Sequence, residues 1–493
     1  MGGYIETHCM YACSLRLRTL TVKSPIYPLL TSLALALAPA LVPLGAQAQI
    51  IAPEKLAADA QVALAAGKDP IPGPRTCFWL RGPASADPYI NIAYPDAATF
   101  YWAAVFTMPA GATLRLEGQF PHARYMSLIS YDEAGRPIES VADYLIKPKA
   151  GSTNPFLPGA DRNSAQREYT LGVVDGRPDP AQKTGMNLVG EQREVINTPK
   201  YGPPGQQVIL YRIYVTDKGT DETGNAGLPV PVLTLADGRV LRGAEACPSL
   251  KTRQPLLLDP AAMAVPMEMY TKMLTEAAKF GPTFPATNPP TWHQQLDREA
   301  LYGIYLNKPP ADGARKSEGG FYPNLDNQYI RAIINRKHGK VFMLRAKAPS
   351  TPRTLKGEPL MGSGDLRYWS YCSNQGFANT RVNACVHDEN VPTGPDGYYT
   401  IVLSRKADRP RNAVAQCGVA WLPMADDGDG AVDDDVTVLQ LRHMLGTSNF
   451  ANAVQGVSKP GMEEKDMGAY FPRGRYMTSN QFETAVPCQI EKR

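Results

Sequence analysis

Two arginines in similar surroundings are the first candidates for a binding site. Arg124 and Arg367 each begin an Arg-Tyr-x-Ser sequence that we expect to form a strand. A guanidinium group is a planar fork suited to carboxylates, sulfates or phosphates, and the nearby His122 would add a group that titrates near neutral pH. We therefore predict that both arginines, His122 and the adjacent Tyr125 and Tyr368 contact a ligand in a cleft. In the alternative interpretation, each arginine holds loop carbonyls or a buried acid.

An acidic run at residues 426–435 is the second candidate site, with six aspartates in ten residues. Calcium takes about six to eight oxygen ligands, and a glycine lets a ligand loop turn sharply. We take Gly430 as the loop glycine. Asp427, Asp429 and Asp433 then fall on calcium-ligand positions, whereas apolar residues occupy the first and last positions of the loop. The sequence leaves open a calcium loop and a solvated hairpin loop.

Motifs of the common hydrolases and nucleotide-binding proteins are absent from the sequence. It contains no Gly-x-Ser-x-Gly, no His-Glu-x-x-His and no glycine-rich phosphate loop. It also lacks Cys-x-x-Cys spacing, which disfavours zinc and thioredoxin-type chemistry. We therefore predict no cofactor, with Ca²⁺ as the one open possibility. A secreted hydrolase or lyase acting on a polymer or an aromatic compound is an alternative, with His122, Asp132 and Glu133 as its acid–base candidates.

Six cysteines follow the N-terminal leader, and an even number in an oxidising compartment indicates disulfides. Six cysteines allow 15 pairings, so the spacing only favours a set. One pair would close a hairpin, a second would tie together the ends of the first strand-rich region, and the third joins the remaining two. The favoured pairs are Cys372 with Cys385, Cys77 with Cys247, and Cys417 with Cys488.

The elements that must position these groups are β-strands. Short runs rich in Tyr, Val, Ile, Phe and Leu alternate with Gly, Pro, Asp and Asn from about residue 77 to 247, and again from about residue 321. Self-comparison finds the same short words in the same order, and Tyr94-Pro95-Asp96 recurs as Tyr322-Pro323-Asn324. Further matches begin at Tyr101 and Tyr329, at Arg124 and Arg367, and at Tyr169 and Tyr399. We predict a mainly β protein with two antiparallel β-sandwich-like domains from an internal duplication, although short strand-like words also align by chance.

The words around the two arginines carry a family resemblance. Residues 120–127 (Phe-Pro-His-Ala-Arg-Tyr-Met-Ser) and 366–370 (Leu-Arg-Tyr-Trp-Ser) resemble secreted bacterial β-sandwich proteins of families without an assigned function. In those families an Arg-Tyr-x-Ser-like strand lies in one half of a β-sandwich. The resemblance implies a fold and no reaction.

Helical patterns separate and follow the strand-rich regions. Apolar residues at helical spacing predict a helix over residues 260–280, and we expect further helices at 292–305 and around 445–454. The predicted organisation is a signal peptide at 1–48, an N-terminal helix at 49–75, a first β-domain at 76–255, a helical and proline-rich connector at 256–320, and a second β-domain with a C-terminal extension at 321–493.

The first 48 residues have the pattern of a secretory signal peptide. A basic stretch precedes an apolar run from Leu29 to Leu44, and Ala46-Gln47-Ala48 offers small residues where a signal peptidase reads them. The run is shorter than the roughly 20 residues that a membrane-spanning helix needs. We expect cleavage after Ala48, no transmembrane anchor afterwards, and a periplasmic or extracellular location.

The net charge and the composition exclude some classes of binding partner. Removing the leader takes away three basic residues and one acidic residue, so the net charge falls from +4 to about +2. No block of Lys and Arg stands out, which disfavours nucleic acids. A small molecule or a glycan is the expected partner. Our first hypothesis is an exported protein that binds a small or polymeric ligand between two β-domains, and the alternatives are the hydrolase or lyase above and a calcium-stabilised structural or adhesion module.

Overall fold

The structure, a computed structural model, describes residues 71–179, 191–308 and 319–488. All of these residues belong to one unit, Ile51–Arg493. The predicted signal peptide and residues 49–70 of the predicted N-terminal helix lie outside the described residues, and residues 71–75 do not form a helix. The division of the mature chain into two domains stays a prediction.

The first half of the described chain is built from strands rich in β-branched and aromatic residues, with turns between them. In chain order these strands are β1 (Arg81–Ala84), β2 (Thr99–Thr107), β3 (Thr113–Gln119), β4 (Ala123–Tyr131), β5 (Pro137–Ala142), β6 (Glu168–Val174), β7 (Val195–Asn197), β8 (Gln206–Thr216), β9 (Val230–Thr234) and β10 (Val240–Arg242).

The second half continues with strands of the same character. They are β11 (Trp292–Gln294), β12 (Asn327–Asn335), β13 (Val341–Lys347), β14 (Tyr368–Asn374), β15 (Val382–His387), β16 (Tyr398–Ser404), β17 (Val419–Pro423), β18 (Val436–Met444) and β19 (Arg473–Met477).

The strands form four sheets, and the two halves share one strand order. Sheet 1 has the order β1-β2-β8-β4-β5 and sheet 3 the order β11-β12-β18-β14-β15. Sheet 2 has the order β10-β9-β3-β6-β7 and sheet 4 the order β19-β13-β16-β17. Neighbouring strands are antiparallel in the described sheets except for β6·β7 and β16·β17, which are parallel in both halves. Each strand from β1 to β9 therefore corresponds to the strand whose label is higher by ten, so that β1 corresponds to β11 and β9 to β19.

The two sheets of each half share a hydrophobic core. Trp102 and Ile209 of sheet 1 belong to the same buried cluster as Leu114 and Leu171 of sheet 2. A second cluster joins sheets 3 and 4 in the same way through Leu439 and Ile401, among others. The packing within each half is therefore sandwich-like.

The central strands β8 and β18 are buried on both faces, which is why their sequences are almost continuously apolar. Ile209 and Tyr211 of β8 point into the core of the first half, whereas the alternate residues Val208 and Leu210 belong to a separate cluster. Tyr322, from the second half, packs against that separate cluster. In the same way, Tyr94 from the first half packs with the second face of β18. The outer faces of sheets 1 and 3 are thus where the two halves meet.

Short helices connect and cover the sheets. They are α1 (Ala246–Ser249), α2 (Met267–Ala277), α3 (Arg298–Leu306), α4 (Glu463–Met467) and α5 (Ser479–Ala485). The helix predicted at 260–280 is present as α2, flanked by single 3-10 turns at Pro260–Ala262 and Ala278–Phe280. Asp297 caps α3 by accepting a hydrogen bond from the Ala300 N–H, as expected of aspartate at a helix start.

Two helix predictions are wrong. Trp292–Gln294 forms edge strand β11, and the helix expected from residue 292 begins only at Arg298. The segment around 445–454 holds no helix, because β18 runs to Met444 and Leu445 then has a positive φ of 46°. At 292–294, pairing with β12 overrides a short apolar pattern that periodicity alone cannot assign.

Three disulfides pair the cysteines as their spacing favoured. They join Cys77 to Cys247, Cys372 to Cys385, and Cys417 to Cys488. Cys372 and Cys385 lie directly opposite each other on β14 and β15, so this bond closes the expected pair of neighbouring strands.

None of the helices in the described part of the chain is both long enough and apolar enough to cross a membrane.

Candidate functional site

Arg124 and Arg367 occupy equivalent places in the two halves, at the start of β4 and just before β14. Both side chains are buried, with at most 2% of their surface exposed. Nη1 of Arg124 donates to Asp388 Oδ2 at 2.7 Å, and Nη2 pairs with Glu389. Nη1 of Arg367 donates to Asp143 Oδ1 at 3.2 Å. Each guanidinium group thus meets carboxylates from the other half.

The two arginines also bond to each other. Arg124 donates to the carbonyl oxygen of Arg367 at 3.4 Å, and Arg367 donates to the carbonyl oxygen of Arg124 at 3.2 Å. Burial on its own would raise the pKa of Asp388, but the Arg124 guanidinium and then His387 hold that pKa below its ordinary value. We call this reciprocal network the arginine bridge. Its geometry favours the interpretation in which both arginines hold buried acids, and ligand contact by them stays a prediction.

The tyrosines that follow the arginines make a second reciprocal set. The Tyr125 hydroxyl donates to Asp326 Oδ2 at 2.6 Å, and the Tyr368 hydroxyl donates to Asp96 Oδ2 at 2.9 Å. Both rings are fully buried. Each tyrosine therefore reaches an acid of the opposite half, and both side chains are used in joining the halves.

The three acid–base candidates, His122, Asp132 and Glu133, have different surroundings. His122 contacts Arg167, whose Nη1 lies 3.0 Å from each ring nitrogen, and burial followed by Arg167 lowers the pKa of His122. Asp132 accepts from Arg136 Nε at 2.9 Å and from backbone N–H groups of the turn after β4. Glu133, the next residue, is exposed. His122 is thus packed against an arginine, and Asp132 stabilises a turn. The three side chains are not arranged as a catalytic acid–base group.

The acidic run crosses from β17 in sheet 4 to β18 in sheet 3, so the solvated hairpin expected there is wrong. Asp429 is fully buried. Its Oδ1 accepts from three successive backbone N–H groups between residues 431 and 433, at 2.7–3.1 Å, and its Oδ2 accepts from the Tyr270 hydroxyl at 2.8 Å. Gly430 follows with a φ of +69°, which suits glycine. The buried carboxylate folds the loop around itself.

The other two candidate calcium ligands point to separate partners. Asp427 accepts from the Gln375 side-chain amide at 2.6 Å, and Asp433 accepts from the Asp435 N–H at 2.9 Å. Among the described residues, one group of three potential ligands has its atoms within 4.8 Å of one another, and it consists of Asp96, Cys372 and Cys385. Two of its members form a disulfide. The geometry of the acidic run does not favour a metal site, and calcium there stays a prediction.

A cavity of about 160 Å³ lies between the outer faces of sheets 1 and 3, and we call it the central cavity. Its lining comes from β1, β2 and β8 of the first half, from β12 and β18 of the second, and from the loops at 92–95 and 320–324. Aromatic and aliphatic side chains predominate. None of the lining residues in the described part of the chain is Asp, Glu, His, Lys, Ser, Thr or Cys. The charged lining residues are Arg81, Arg212, Arg331 and Arg442.

Arg212 and Arg442 are counterparts on the central strands. Arg212 pairs across the sheet with Tyr101, and Arg442 pairs with Tyr329. Nη2 of Arg212 donates to the carbonyl oxygen of Tyr322 at 2.9 Å, and Nη2 of Arg442 donates to that of Tyr94 at 2.7 Å. Tyr94 and Tyr322 both have a positive φ, of 53° and 46°. Such a backbone is strained for tyrosine and persists where surrounding contacts hold it, as these arginines do.

The positive charges of these two arginines are compensated differently. Arg442 lies 3.4 Å from Asp96 Oδ2, whereas Arg212 forms no ion pair with any carboxylate of the described residues. Its guanidinium carbon lies 5.4 Å from the ring centroids of both Tyr101 and Tyr131, and its Nε and Nη1 have no hydrogen-bond partner. Arg212 is therefore a buried cation held by aromatic faces and one carbonyl.

Arg331 is a third buried cation, with 2% of its surface exposed. Its guanidinium carbon lies 4.4 Å above the Tyr94 ring, and its Nε and Nη1 have no hydrogen-bond partner. Within the described chain it makes no ion pair. Burial, reinforced by the positive charge of Arg442, lowers the pKa of Arg331 to about 10. The side chain therefore remains charged at neutral pH without a counter-charge.

Three arginines of the central cavity could have been singled out from the sequence by their place inside strands. Arg212, Arg442 and Arg331 are each the one Lys, Arg, Asp or Glu residue of their strands, β8, β18 and β12. An isolated charge inside a strand buried on both faces must have a partner or a function. The matching position of Arg212 and Arg442 in the two halves, each opposite a tyrosine on the neighbouring strand, is a further signal.

Comparisons with known proteins add little. No family model matches the chain, and no curated protein matches it. An uncharacterised protein from Burkholderia cenocepacia superposes with a TM-score of 0.39 at 12% identity, covering 79% of each chain. The VPA0106 protein from Vibrio parahaemolyticus gives a TM-score of 0.37 at 12% identity, covering 78% of this chain and 90% of its own. Both likenesses are distant, and we base no argument on them.

Proposed function

We propose that this chain is an exported binding protein that holds a small molecule in the central cavity between two duplicated β-sandwich halves. The observation that carries the proposal is a mostly apolar cavity, lined by aromatic rings, whose charged groups are all arginines. Small-molecule sites are typically concave and apolar, with a few polar groups that fix the orientation of the ligand.

Binding fits the cavity better than catalysis does. Hydrolases and lyases need a nucleophile or an acid–base pair within reach of the substrate. The described lining residues include no carboxylate, imidazole, thiol or aliphatic hydroxyl. The acid–base candidates His122, Asp132 and Glu133 are not among the lining residues. The remaining acid–base groups of the lining are tyrosine hydroxyls, and burial raises the pKa of each of them, so none is ionised at neutral pH. The cavity therefore supports a hydrolase or lyase less than it supports a binding protein.

The size of the cavity favours a small ligand over a polymer. Its volume of about 160 Å³ is close to that of an engineered protein cavity, roughly 150 Å³, that accepts benzene. The lining residues Ile90, Ile92 and Ala93 are half-buried, whereas those on β12 and β18 are buried. Lining residues of β1 and β2, such as Arg81 and Ala103, are half-buried as well, so a ligand would enter on the side of the cavity away from β12 and β18.

An internal duplication explains the position of the cavity. It is supported by the shared strand order of the halves, including the parallel pairs β6·β7 and β16·β17. It is also supported by the arginine bridge and by the reciprocal bonds of Arg212 and Arg442 to Tyr322 and Tyr94. Two copies of one fold that pack by equivalent faces meet along a pseudo-twofold axis. A cavity at such a junction is a natural place for a ligand.

Export is supported by the disulfides and by the leader sequence. Disulfide bonds form and persist in oxidising compartments and are rare in the cytosol. The three bonds of this structure use every cysteine between residues 49 and 493. We therefore place the protein in the periplasm or outside the cell.

Calorimetric titration of residues 49–493 with benzamide and with benzoate tests the proposal, because both are flat molecules of suitable size. We expect saturable binding of at least one probe at one site per chain. Ala103→Phe should abolish it, because Ala103 lines the cavity and phenylalanine would fill it. Ala384→Phe is the matched control, a half-buried alanine on edge strand β15 outside the cavity lining, and it should bind as the wild type does. Failure of both probes, or binding that survives Ala103→Phe, would overturn the proposal.

A further inference from the structure

The two halves differ in charge at the central cavity, although their strands correspond. Tyr101 with Arg212 and Tyr329 with Arg442 are equivalent cross-strand pairs. Two positions along, Ala103 pairs with Leu210 in the first half and Arg331 pairs with Gln440 in the second. Arg331 therefore stands where the first half has an alanine, and it adds a positive charge.

The second difference is that an amide stands in the second half at a position where the first half has an acid. Asp96 and Asn324 are counterparts in the repeated words, and each accepts the backbone N–H two residues later, at 3.0 and 2.9 Å. Asp96 lies 3.4 Å from Arg442 and compensates its charge. Asn324 lines the cavity and is neutral, and Arg212 has no acid in its place. The second half has thus gained a cation at Arg331, and its acid stands two residues further on, at Asp326, which accepts from Tyr125 and Ser140 and is not among the cavity-lining residues.

The protein itself leaves these two cations uncompensated. Arginine does not lose its proton at neutral pH, and an isolated buried charge is strongly unfavourable. The Tyr94, Tyr101 and Tyr131 rings offset part of this cost through cation–π contacts. Water molecules can satisfy the free N–H groups of Arg212 and Arg331 but cannot neutralise their charge. An anion in the cavity would do both.

We infer that the ligand of the central cavity is a small organic carboxylate with a flat or compact apolar body, bound through Arg331 and Arg212. This inference rests on the function proposed above and specifies its ligand. The free N–H groups of the two guanidinium groups bind the carboxylate, since a guanidinium fork matches its two oxygens. The aromatic and aliphatic lining surrounds the apolar body, and the volume limits that body to about the size of a benzene ring.

Benzoate and benzamide form the test, because they are nearly identical in shape and differ in charge. For the wild type we expect benzoate to bind at least about tenfold more tightly, as charge-assisted hydrogen bonds in a buried site would give. Arg331→Met should reduce this preference several-fold, because Arg212 alone remains to bind the carboxylate, and it should lower the affinity for benzamide less than the affinity for benzoate. Arg345→Met removes an arginine from the exposed pair with Asp396 and should leave both affinities unchanged.

The melting temperature of the unliganded Arg331→Met variant is a separate readout. Replacing an uncompensated buried charge by an apolar side chain of similar length should raise it. A lowered melting temperature together with an intact benzoate preference would show that Arg331 is structural and would overturn the inference. Equal affinities of the wild type for the two probes would overturn the inference while the proposed function stands. Binding of neither probe would overturn both.

Discussion

The structural role of the arginine bridge gives a pH-dependent prediction for Arg124→Met. The wild-type guanidinium pairs with the buried carboxylates of Asp388 and Glu389, and both pKa values lie below their ordinary values despite burial. A lowered carboxylate pKa stabilises the folded state above the unfolded-state pKa, and this contribution is lost as the pH falls through the folded-state pKa. In the variant Asp388 stays buried without its guanidinium partner, so its pKa rises, whereas Glu389 keeps the hydrogen bonds from the Thr354 and Leu355 N–H groups that lower its own pKa.

The magnitude follows from the burial of this pair. Breaking a buried ion pair by removing one partner costs about 3–5 kcal/mol, and we expect Arg124→Met to lose that much at pH 7. Between pH 7 and pH 4 the folded variant takes up protons that the folded wild type does not, so the difference in unfolding free energy must shrink. At pH 4 we expect about 1–2 kcal/mol, the cost of the lost hydrogen bonds.

Urea unfolding followed by circular dichroism at pH 7 and pH 4 measures both differences. Arg345→Met is the matched control, because its pair with Asp396 is about half exposed on each side and solvent screening should leave stability almost unchanged at either pH. A loss for Arg124→Met that is below about 1 kcal/mol at pH 7, or that is equal at both pH values, would refute the structural role of the bridge.

Two further predictions concern the disulfides and the acidic run. Replacing Cys77 and Cys247 by serine should lower the unfolding free energy by about 5 kcal/mol, because that disulfide closes a loop of 170 residues. Replacing Cys372 and Cys385 by serine should lower it by about 3 kcal/mol, because that loop spans 13 residues. Urea unfolding would measure both losses, and a larger loss for the shorter loop would contradict the argument. Asp429→Asn should destabilise the protein by about 2–3 kcal/mol, because it alters a buried carboxylate with four donors, and added calcium should not restore stability. A melting temperature that rises with calcium in the wild type, falls with a chelator and ignores both in the variant would instead support the calcium loop.

Much of the fold could be predicted from the sequence because its determinants are local. Strands such as β8 and β18 are rich in Val, Ile, Leu and Tyr, and the repeated short sequences keep their order through both halves. The disulfide pairs followed from the spacing of the cysteines. The short edge strand β11 was missed, because three residues carry no period of their own and are placed by pairing with β12.

The site could be predicted only in part, because its determinants are contacts between distant segments. Arg124 stood out through its repeated neighbours, but its role depends on Asp388, which lies 264 residues further along the chain. Arg212 and Arg331 were visible as charges inside apolar strands. Nothing local indicates that both would contact aromatic faces and that both would lack an acid, since both facts arise where the two halves pack.

A crystal structure of residues 49–493 with benzoate would test the central claim most directly. We predict that the benzoate carboxylate lies within hydrogen-bonding distance of the Arg331 and Arg212 guanidinium groups, with the ring in the central cavity beside Tyr94 and Tyr329. Benzoate bound elsewhere, or a central cavity filled by its own side chains, would contradict the account.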